Sequence, residues 1–135
     1  SKLAQIIYGI PAVKGLWFGE AIKAFIVSGC EFKDEYLVEN GQVRTYGNNN
    51  GGILGGITNG MPIVFRTAIK PTPTIFKPQN TVDFKAMTET VIEPKGRHDP
   101  AIVHRARVVQ DAATAIVLCD MLSGRFGTDW LKGSE

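Results

Sequence analysis

The hydrophobic positions near the start of the chain form short runs separated by breaks. Residues 3–8 are apolar and fit the end of a helix or a strand, and Pro11 then removes a backbone donor and favours extended geometry at the residue before it. Residues 13–18 combine β-branched and aromatic side chains and predict a strand. Residues 20–27 carry apolar side chains at helical spacing and predict a short helix.

The middle of the chain predicts a hairpin, a glycine-rich segment and a stiff loop. Residues 36–46 contain two β-branched runs around Asn40-Gly41, a pair typical of type I′ turns. Residues 48–60 hold five glycines and four asparagines. A helix there is excluded, because each glycine costs about 1 kcal/mol relative to alanine. Residues 62–69 predict a strand, and the three prolines of residues 70–78 predict a rigid, extended path. The pattern of residues 82–93 fits neither element clearly.

The longest predicted helix covers residues 100–123. Asp99 is placed as its N-cap, Pro100 at the first helical position and Gly124 at its end. Its second half is apolar almost all round, which is typical of a helix buried between layers or subunits. We therefore expect one α+β unit over residues 1–135, with antiparallel strands packed on a long buried helix.

Composition and charge narrow the function classes. The chain has 135 residues, with 15 basic and 13 acidic side chains and a formal net charge of +2. This balance is too weak to indicate nucleic acid or an anionic membrane as a partner. No apolar run approaches the ~18 residues of a membrane-spanning helix. Cys30 and Cys119 lack metal-ligand spacing, so we expect no metal site and two free, buried thiols.

Three segments carry candidate chemistry. The glycines of residues 48–60 allow the backbone to approach a ligand, although neither the Walker A pattern nor the dinucleotide pattern is present. Lys70-Pro71-Thr72-Pro73-Thr74 offers an ammonium and two hydroxyls on a loop that loses little entropy on binding an anion. An ordinary turn and an ordinary stiff connection remain the alternatives for these two segments.

The third segment is Gly96-Arg97-His98-Asp99-Pro100. Arg97 provides a bidentate fork for phosphate or carboxylate, and the imidazole of His98 is suited to moving protons. Asp99 is suited to act as a base or as a helix cap. Taken from the residues alone, the three segments predict an anion-binding, cofactor-type site and nothing finer.

The same segments, in the same order, resemble chorismate synthase. NNNGGILGGITNG, KPTPT and GRHDP are similar to three signatures of that family, and IPAVKG at residues 10–15 is similar to a fourth block. The resemblance covers nearly all of this chain but only the C-terminal third of the family's enzyme. It implies part of the family's β-α-β sandwich, a cytoplasmic location and assembly as a homotetramer.

The activity implied by the resemblance is a 1,4-anti elimination of phosphate from 5-enolpyruvylshikimate 3-phosphate, which gives chorismate with the help of reduced FMN. NADPH is the expected reductant of the flavin. The family pattern assigns proton transfer to Asp99 and contacts with FMN or substrate to Arg97, as the catalytic pair. The cofactor-binding residues that it implies are Pro11, Ala12, Gly55, Lys70, Pro71, Thr72, Pro73, Thr74 and Arg97.

Three functional hypotheses stay open at this point. The first is an enzyme portion that is inactive alone, because the family's catalytic histidines lie in its N-terminal part and have no counterpart here. The second is a non-catalytic module for flavin binding or oligomerisation. The third is a small phosphate-binding protein of another fold.

Overall fold

The computed structural model describes residues 1–98 and 100–129, and it combines helices with short antiparallel strands. The described helices are α1 (Lys2–Tyr8), a 3₁₀ helix (Ala21–Phe25), α2 (Gly29–Phe32) and α3 (Val103–Phe126). The described strands are β1 (Val13–Phe18), β2 (Tyr36–Glu39), β3 (Gln42–Thr45), β4 (Ile53–Leu54), β5 (Ile57–Thr58), β6 (Phe65–Ile69), β7 (Gln79–Asp83) and β8 (Thr88–Ile92). The predicted α+β class is confirmed.

The strands pair as four separate antiparallel ribbons: β1 with β6, β2 with β3, β4 with β5, and β7 with β8. In the first ribbon Val13 lies opposite Ile69 and Phe18 lies opposite Phe65, with a register shift between Val13 and Gly15. The predicted strand over residues 13–18 is confirmed at both ends. Since β1 and β6 are about 50 residues apart in the chain, their pairing depends on long-range contacts.

The hydrophobic core lies where α1, the β1–β6 ribbon and α3 meet. Ile7 is completely buried there. The other buried members of the core cluster are Ile10, Val13 and Ala113. A hydrogen bond of 2.7 Å from Thr67 Oγ1 to Gln110 Oε1 joins β6 to α3 beside this core. Helix α3 therefore packs along one side, against α1 and beside the ribbon.

The turn chemistry of the predicted hairpin is also confirmed. Strands β2 and β3 are joined by Asn40 and Gly41, whose φ angles of 52° and 75° match the type I′ turn. Residues 20–27 form a 3₁₀ helix of five residues instead of an α-helix. The segment that the sequence left unassigned forms the β7–β8 ribbon, which begins at Gln79.

Helix α3 is shifted by three residues from its predicted bounds. Its N-cap is Ile102, so the prediction that Asp99 and Pro100 open the helix is wrong; Asp99 itself lies outside the described residues. The helix also continues through Gly124, so the prediction that Gly124 ends it is wrong. A Cβ at Gly124 would meet nothing within 4 Å. It ends at Gly127, whose positive φ of 68° suits a glycine after a helix.

The prediction of a long buried helix is wrong for this chain by itself. Only Ala113 and Val117 of α3 are buried, whereas Val108 and Ile116 are more than half exposed. Both cysteines are exposed as well, which corrects the expectation of buried thiols. The β-α-β sandwich stays a prediction, because the described packing of α3 involves one side of the helix. Among the described helices, none has both the length and the apolar character needed to span a bilayer.

We predict that Ile7→Ala lowers the free energy of unfolding by about 2–5 kcal/mol, because it leaves a cavity in the middle of the core. Ile22→Ala is the matched control, since Ile22 is 56% exposed and should change stability by less than about 0.5 kcal/mol. Urea titration followed by circular dichroism measures both. Equal losses in the two variants would contradict the core described here.

Candidate functional site

One end of the β1–β6 ribbon brings two of the predicted cofactor-binding segments together. Lys70 follows β6, and its backbone N–H donates a 2.7 Å hydrogen bond to the carbonyl of Ala12, which precedes β1. Pro11 and Ala12 therefore lie beside the start of the proline-stiffened loop. Ala12 has a φ of 69°, a left-handed conformation that costs a non-glycine residue about 1–3 kcal/mol. Such strained residues cluster at functional sites.

A cavity of about 310 Å³ opens next to this junction. Its lining residues are Thr67, Ile69, Lys70, Pro71, Thr72, Pro100, Ala101, Ile102 and Val103. The rings of Phe76 and His98 are in contact beyond it, with 5.2 Å between their centroids. The KPTPT loop and the segment around Arg97 are thus neighbours in space, although 20 or more residues separate them in sequence.

Two polar atoms in this region are shielded from solvent and have no described hydrogen-bond partner: Thr72 Oγ1 and His98 Nε2. An unsatisfied buried polar atom costs about 1–3 kcal/mol, so folded proteins seldom retain one without a reason. Lys70 and Arg97 are exposed, and no described ion pair involves either side chain. A shielded hydroxyl and a lysine without a described ion pair, two residues apart on one loop, are suited to binding an anionic group.

The base of the glycine-rich segment lies at the opposite end of the same ribbon. Gly19, which follows β1, donates its N–H to the carbonyl of Val64 at 2.8 Å, and Val64 donates to the carbonyl of Gly51 at 3.1 Å. Five residue steps of a strand separate the two ends of the ribbon, which is about 15–17 Å. The base of the glycine-rich segment is therefore distant from Lys70.

The tip of the glycine-rich segment is a small hairpin that projects from this base. Strands β4 and β5 are closed at the base by a 3.1 Å hydrogen bond from Asn59 N–H to the carbonyl of Gly52. Gly55 and Gly56 form the turn with φ angles of 56° and 81°. A side chain at either position would meet nothing within 4 Å, so the turn's backbone is open to a ligand.

The predicted residues are only partly brought together within this chain. Pro11, Ala12 and Lys70–Thr72 lie at one place, and Arg97 precedes His98, which contacts Phe76 two residues after the loop. The carbonyl of Pro73 accepts a 3.1 Å hydrogen bond from Gln79 Nε2, and Thr74 is exposed. No described hydrogen bond joins the Gly55 hairpin to the Lys70 loop, and Asp99 lies outside the described residues.

Asp34 is a buried carboxylate that the sequence analysis did not single out. Its Oδ1 accepts the N–H of Asn49 at 2.8 Å, and its Oδ2 accepts the N–H and the side-chain amide of Asn50, each at 2.9 Å. In the sequence it is one acidic residue in a charged run, Glu31 to Glu35, with no motif around it. Only the tertiary structure places it against the asparagines.

Burial raises the pKa of Asp34, but the hydrogen bonds from Asn50 and Asn49 outweigh burial and hold the pKa below its usual value. A lowered carboxyl pKa stabilises the fold above the ordinary pKa of the unfolded chain. That stabilisation is lost as the pH falls through the lowered value of the folded state. Asp34 is therefore charged throughout the neutral range.

Comparison with known proteins assigns the family. Residues 1–123 match the family model described as chorismate synthase. The chain belongs to the chorismate synthase family.

Relatives from two archaea show how much of a chorismate synthase the chain represents. It is 50% identical over 122 residues to the chorismate synthase of Pyrococcus abyssi, which is 90% of this chain and 34% of that protein. It is 51% identical over 123 residues to that of Methanocella arvoryzae, or 90% of this chain and 33% of that protein. The chain spans about a third of the length of the curated relatives it matches.

A solved structure is similar over almost the whole chain. The crystal structure of a chorismate synthase aligns with a TM-score of 0.69 and 35% identity. The alignment covers 93% of this chain and 30% of the chain in that structure.

Within the described residues, no group of three or more histidine, cysteine, aspartate or glutamate side chains is placed to hold a metal ion.

We predict that alanine destabilises the protein to very different extents at Gly51 and Gly55, two glycines that both have a positive φ. A Cβ at Gly51 would lie 2.3 Å from the carbonyl oxygen of Val64, whereas a Cβ at Gly55 would meet nothing within 4 Å. Gly51→Ala should abolish cooperative folding or lower the melting temperature sharply, while Gly55→Ala should cost only the backbone strain of about 1–2 kcal/mol. Thermal unfolding measures the difference. Equal stability of the two variants would contradict the close crossing at Gly51.

Proposed function

We propose that this chain supplies the C-terminal third of a chorismate synthase, and that the cavity beside Lys70 receives the phosphate group of FMN. The observation that carries the proposal is at Thr72, whose shielded hydroxyl has no described partner. Thr72 lines the cavity together with Lys70, which makes no described ion pair. The cavity is at the lower end of the roughly 300–1,000 Å³ range of ligand pockets. It is therefore suited to part of the cofactor, with the remaining surface supplied by other elements.

In the proposed reaction, 5-enolpyruvylshikimate 3-phosphate loses phosphate by a 1,4-anti elimination and becomes chorismate, with no net redox change. Reduced FMN, when bound, supplies the electron density that assists the departure of phosphate. The substrate and the cofactor are both polyanions, so fixed cations and N–H groups around them stabilise both ligands and the leaving charge. The chemistry of the described residues fits this requirement.

Each described segment has a distinct proposed role. Lys70 acts as a point charge for phosphate, and Thr72 donates its hydroxyl to the same group. The flanking prolines keep the loop in one conformation and so reduce the entropy lost on binding. Pro11 and Ala12 form the adjacent wall, and the backbone at Gly55 approaches the flavin ring.

The remaining proposed roles belong to the segment before α3 and to the end of the loop after β6. Arg97 binds FMN or the substrate through its guanidinium group, because its planar fork matches phosphate and carboxylate. Pro73 and Thr74 complete the flavin-binding loop. Asp99 takes part in the proton transfer, as the family pattern implies. A cytoplasmic homotetramer with NADPH as reductant of the flavin completes the proposal.

The surface of the chain supports a role inside a larger assembly. Phe25 is 88% exposed, and Phe84 and Met87 are exposed to a similar degree at the turn of the β7–β8 ribbon. Large apolar side chains with this exposure gain stability when further elements remove them from water. We therefore propose that the chain is inactive by itself and needs the other two thirds of a chorismate synthase.

We predict that this chain alone, given substrate and reduced FMN without oxygen, makes no chorismate above background. The complete enzyme that contains it should make chorismate, because only the complete enzyme surrounds both polyanions. Chromatographic detection of chorismate is the measurement. Turnover by the isolated chain would refute the proposed inactivity.

We predict that Asp99→Asn in the complete enzyme lowers kcat at least tenfold while the Kd for FMN stays within about twofold. The rate of chorismate formation measures kcat.

We predict that Lys70→Ala in the complete enzyme weakens FMN binding roughly ten- to a hundredfold, because a charge-assisted hydrogen bond contributes roughly 1.5–3 kcal/mol. Lys85→Ala removes the same charge from the β7–β8 turn and should leave the Kd for FMN unchanged. Equilibrium titration of flavin fluorescence gives both values. Equal affinities for the two variants would exclude Lys70 from the cofactor site.

A further inference from the structure

The structure points to Asp34 as a positioning residue for the glycine-rich segment, and we propose that its carboxylate fixes the placement of the Gly55 tip against the flavin. This inference rests on the proposed function. Asp34 does not touch the Gly55–Gly56 turn; it acts through the residues at the base of the hairpin.

Three hydrogen bonds connect Asp34 to two consecutive residues of the segment. They involve the backbone N–H groups of Asn49 and Asn50 and the side-chain amide of Asn50, and all are 2.8–2.9 Å long. Asp34 is only 7% exposed, so these bonds are shielded from competition with water. All three partners are donors, which requires a side chain that only accepts. An asparagine at this position would direct its NH₂ group at one or more of them.

A continuous set of backbone hydrogen bonds leads from these asparagines to the tip. Asn49 accepts from the N–H of Glu20 at 2.8 Å, and Gly51 both donates to Asn48 at 3.0 Å and accepts from Val64 at 3.1 Å. The next residue, Gly52, accepts from Asn59 and closes the β4–β5 hairpin. The turn is therefore held by Asp34 on one side and by the end of the β1–β6 ribbon on the other.

Packing on the tip is confined to β4, whose Ile53 and Leu54 are half-buried. A side chain at Gly55 or Gly56 would meet nothing within 4 Å, and both residues of β5 are exposed. A two-stranded hairpin of this size is marginally stable by itself. The orientation of Gly55 consequently depends on the base of the hairpin, where Asp34 is bound.

The carboxylate is separate from the elements that stabilise the core. The core cluster is built from α1, β1 and α3, and includes no residue of the segment that carries Asp34. The neighbouring β2–β3 ribbon has its own connections, a 2.9 Å bond from Tyr46 N–H to the Glu35 carbonyl and a 2.7 Å bond from Thr45 Oγ1 to the Gly47 carbonyl. Loss of the Asp34 charge should therefore loosen the glycine-rich segment and leave the core folded.

The test compares Asp34→Asn with Asp83→Asn in the complete enzyme. Asp83 is a matched control, because its carboxylate also accepts two backbone N–H groups, those of Lys85 and Ala86, at 2.8 and 3.0 Å in an exposed turn. Asp34→Asn should raise both the Kd and the KM for FMN roughly ten- to a hundredfold, by analogy with the loss of a hydrogen-bonded group that supports a metal ligand. Asp83→Asn should change neither value.

The split between kcat and KM separates positioning from a merely structural role. With a mispositioned tip, saturating FMN restores kcat to near the wild-type value. Amide hydrogen exchange at residues 49–56 becomes faster in the variant than in the wild type, while exchange in the core stays the same. A general folding defect would lower kcat at an unchanged KM for FMN, and that result would overturn the proposal. Equal FMN affinity in the Asp34 and Asp83 variants would overturn it as well.

A milder substitution covers the case in which Asp34→Asn does not fold. Asn50→Ala removes only the side-chain bond to Asp34 and should raise the Kd for FMN about three- to tenfold. An unchanged Kd in this variant would also refute the positioning role. Failure of the wild-type enzyme to bind FMN would instead reject the proposed function, so the two failures are distinguishable.

Discussion

The antiparallel pairing of β1 with β6 is the constraint on which the rest of this structure depends. At one end the pairing continues into the bond between Lys70 N–H and the Ala12 carbonyl, and at the other into the bond between Gly19 N–H and the Val64 carbonyl. One end therefore carries the proline-stiffened loop, and the other carries the base of the glycine-rich segment. Helices α1 and α3 bury the apolar residues around this ribbon, with Ile7 at the centre.

The distribution of exposed apolar side chains agrees with the fraction of a chorismate synthase that the chain represents. A helix with only two buried residues and a β7–β8 ribbon exposed along nearly its whole length gain little from the core of this chain. Burial of apolar area is the main source of stability, so such elements require further partners to be stable. Among the described residues, the Lys70 cavity and the base of the Gly55 hairpin lie at opposite ends of the β1–β6 ribbon.

The candidate site combines rigid and unsatisfied groups in a way suited to polyanions. Prolines restrict the loop that carries Lys70, and the buried carboxylate of Asp34 restricts the turn below Gly55. Thr72 Oγ1 and His98 Nε2 are left without described partners in the region between the loop and the start of α3. Polar groups that are fixed before a ligand arrives bind it with a smaller loss of entropy and without local rearrangement.

Local patterns in the sequence determined the strand at residues 13–18, the type I′ hairpin at Asn40-Gly41, the α+β class and the segments that carry the candidate chemistry. Each of these depends on the backbone preferences of a few adjacent residues. The tertiary structure decided the pairing of β1 with β6, the start of α3 at Val103, the exposure of that helix and the partners of Asp34. These depend on contacts between residues far apart in the chain, and a short-range pattern contains no information about which distant backbone groups will meet.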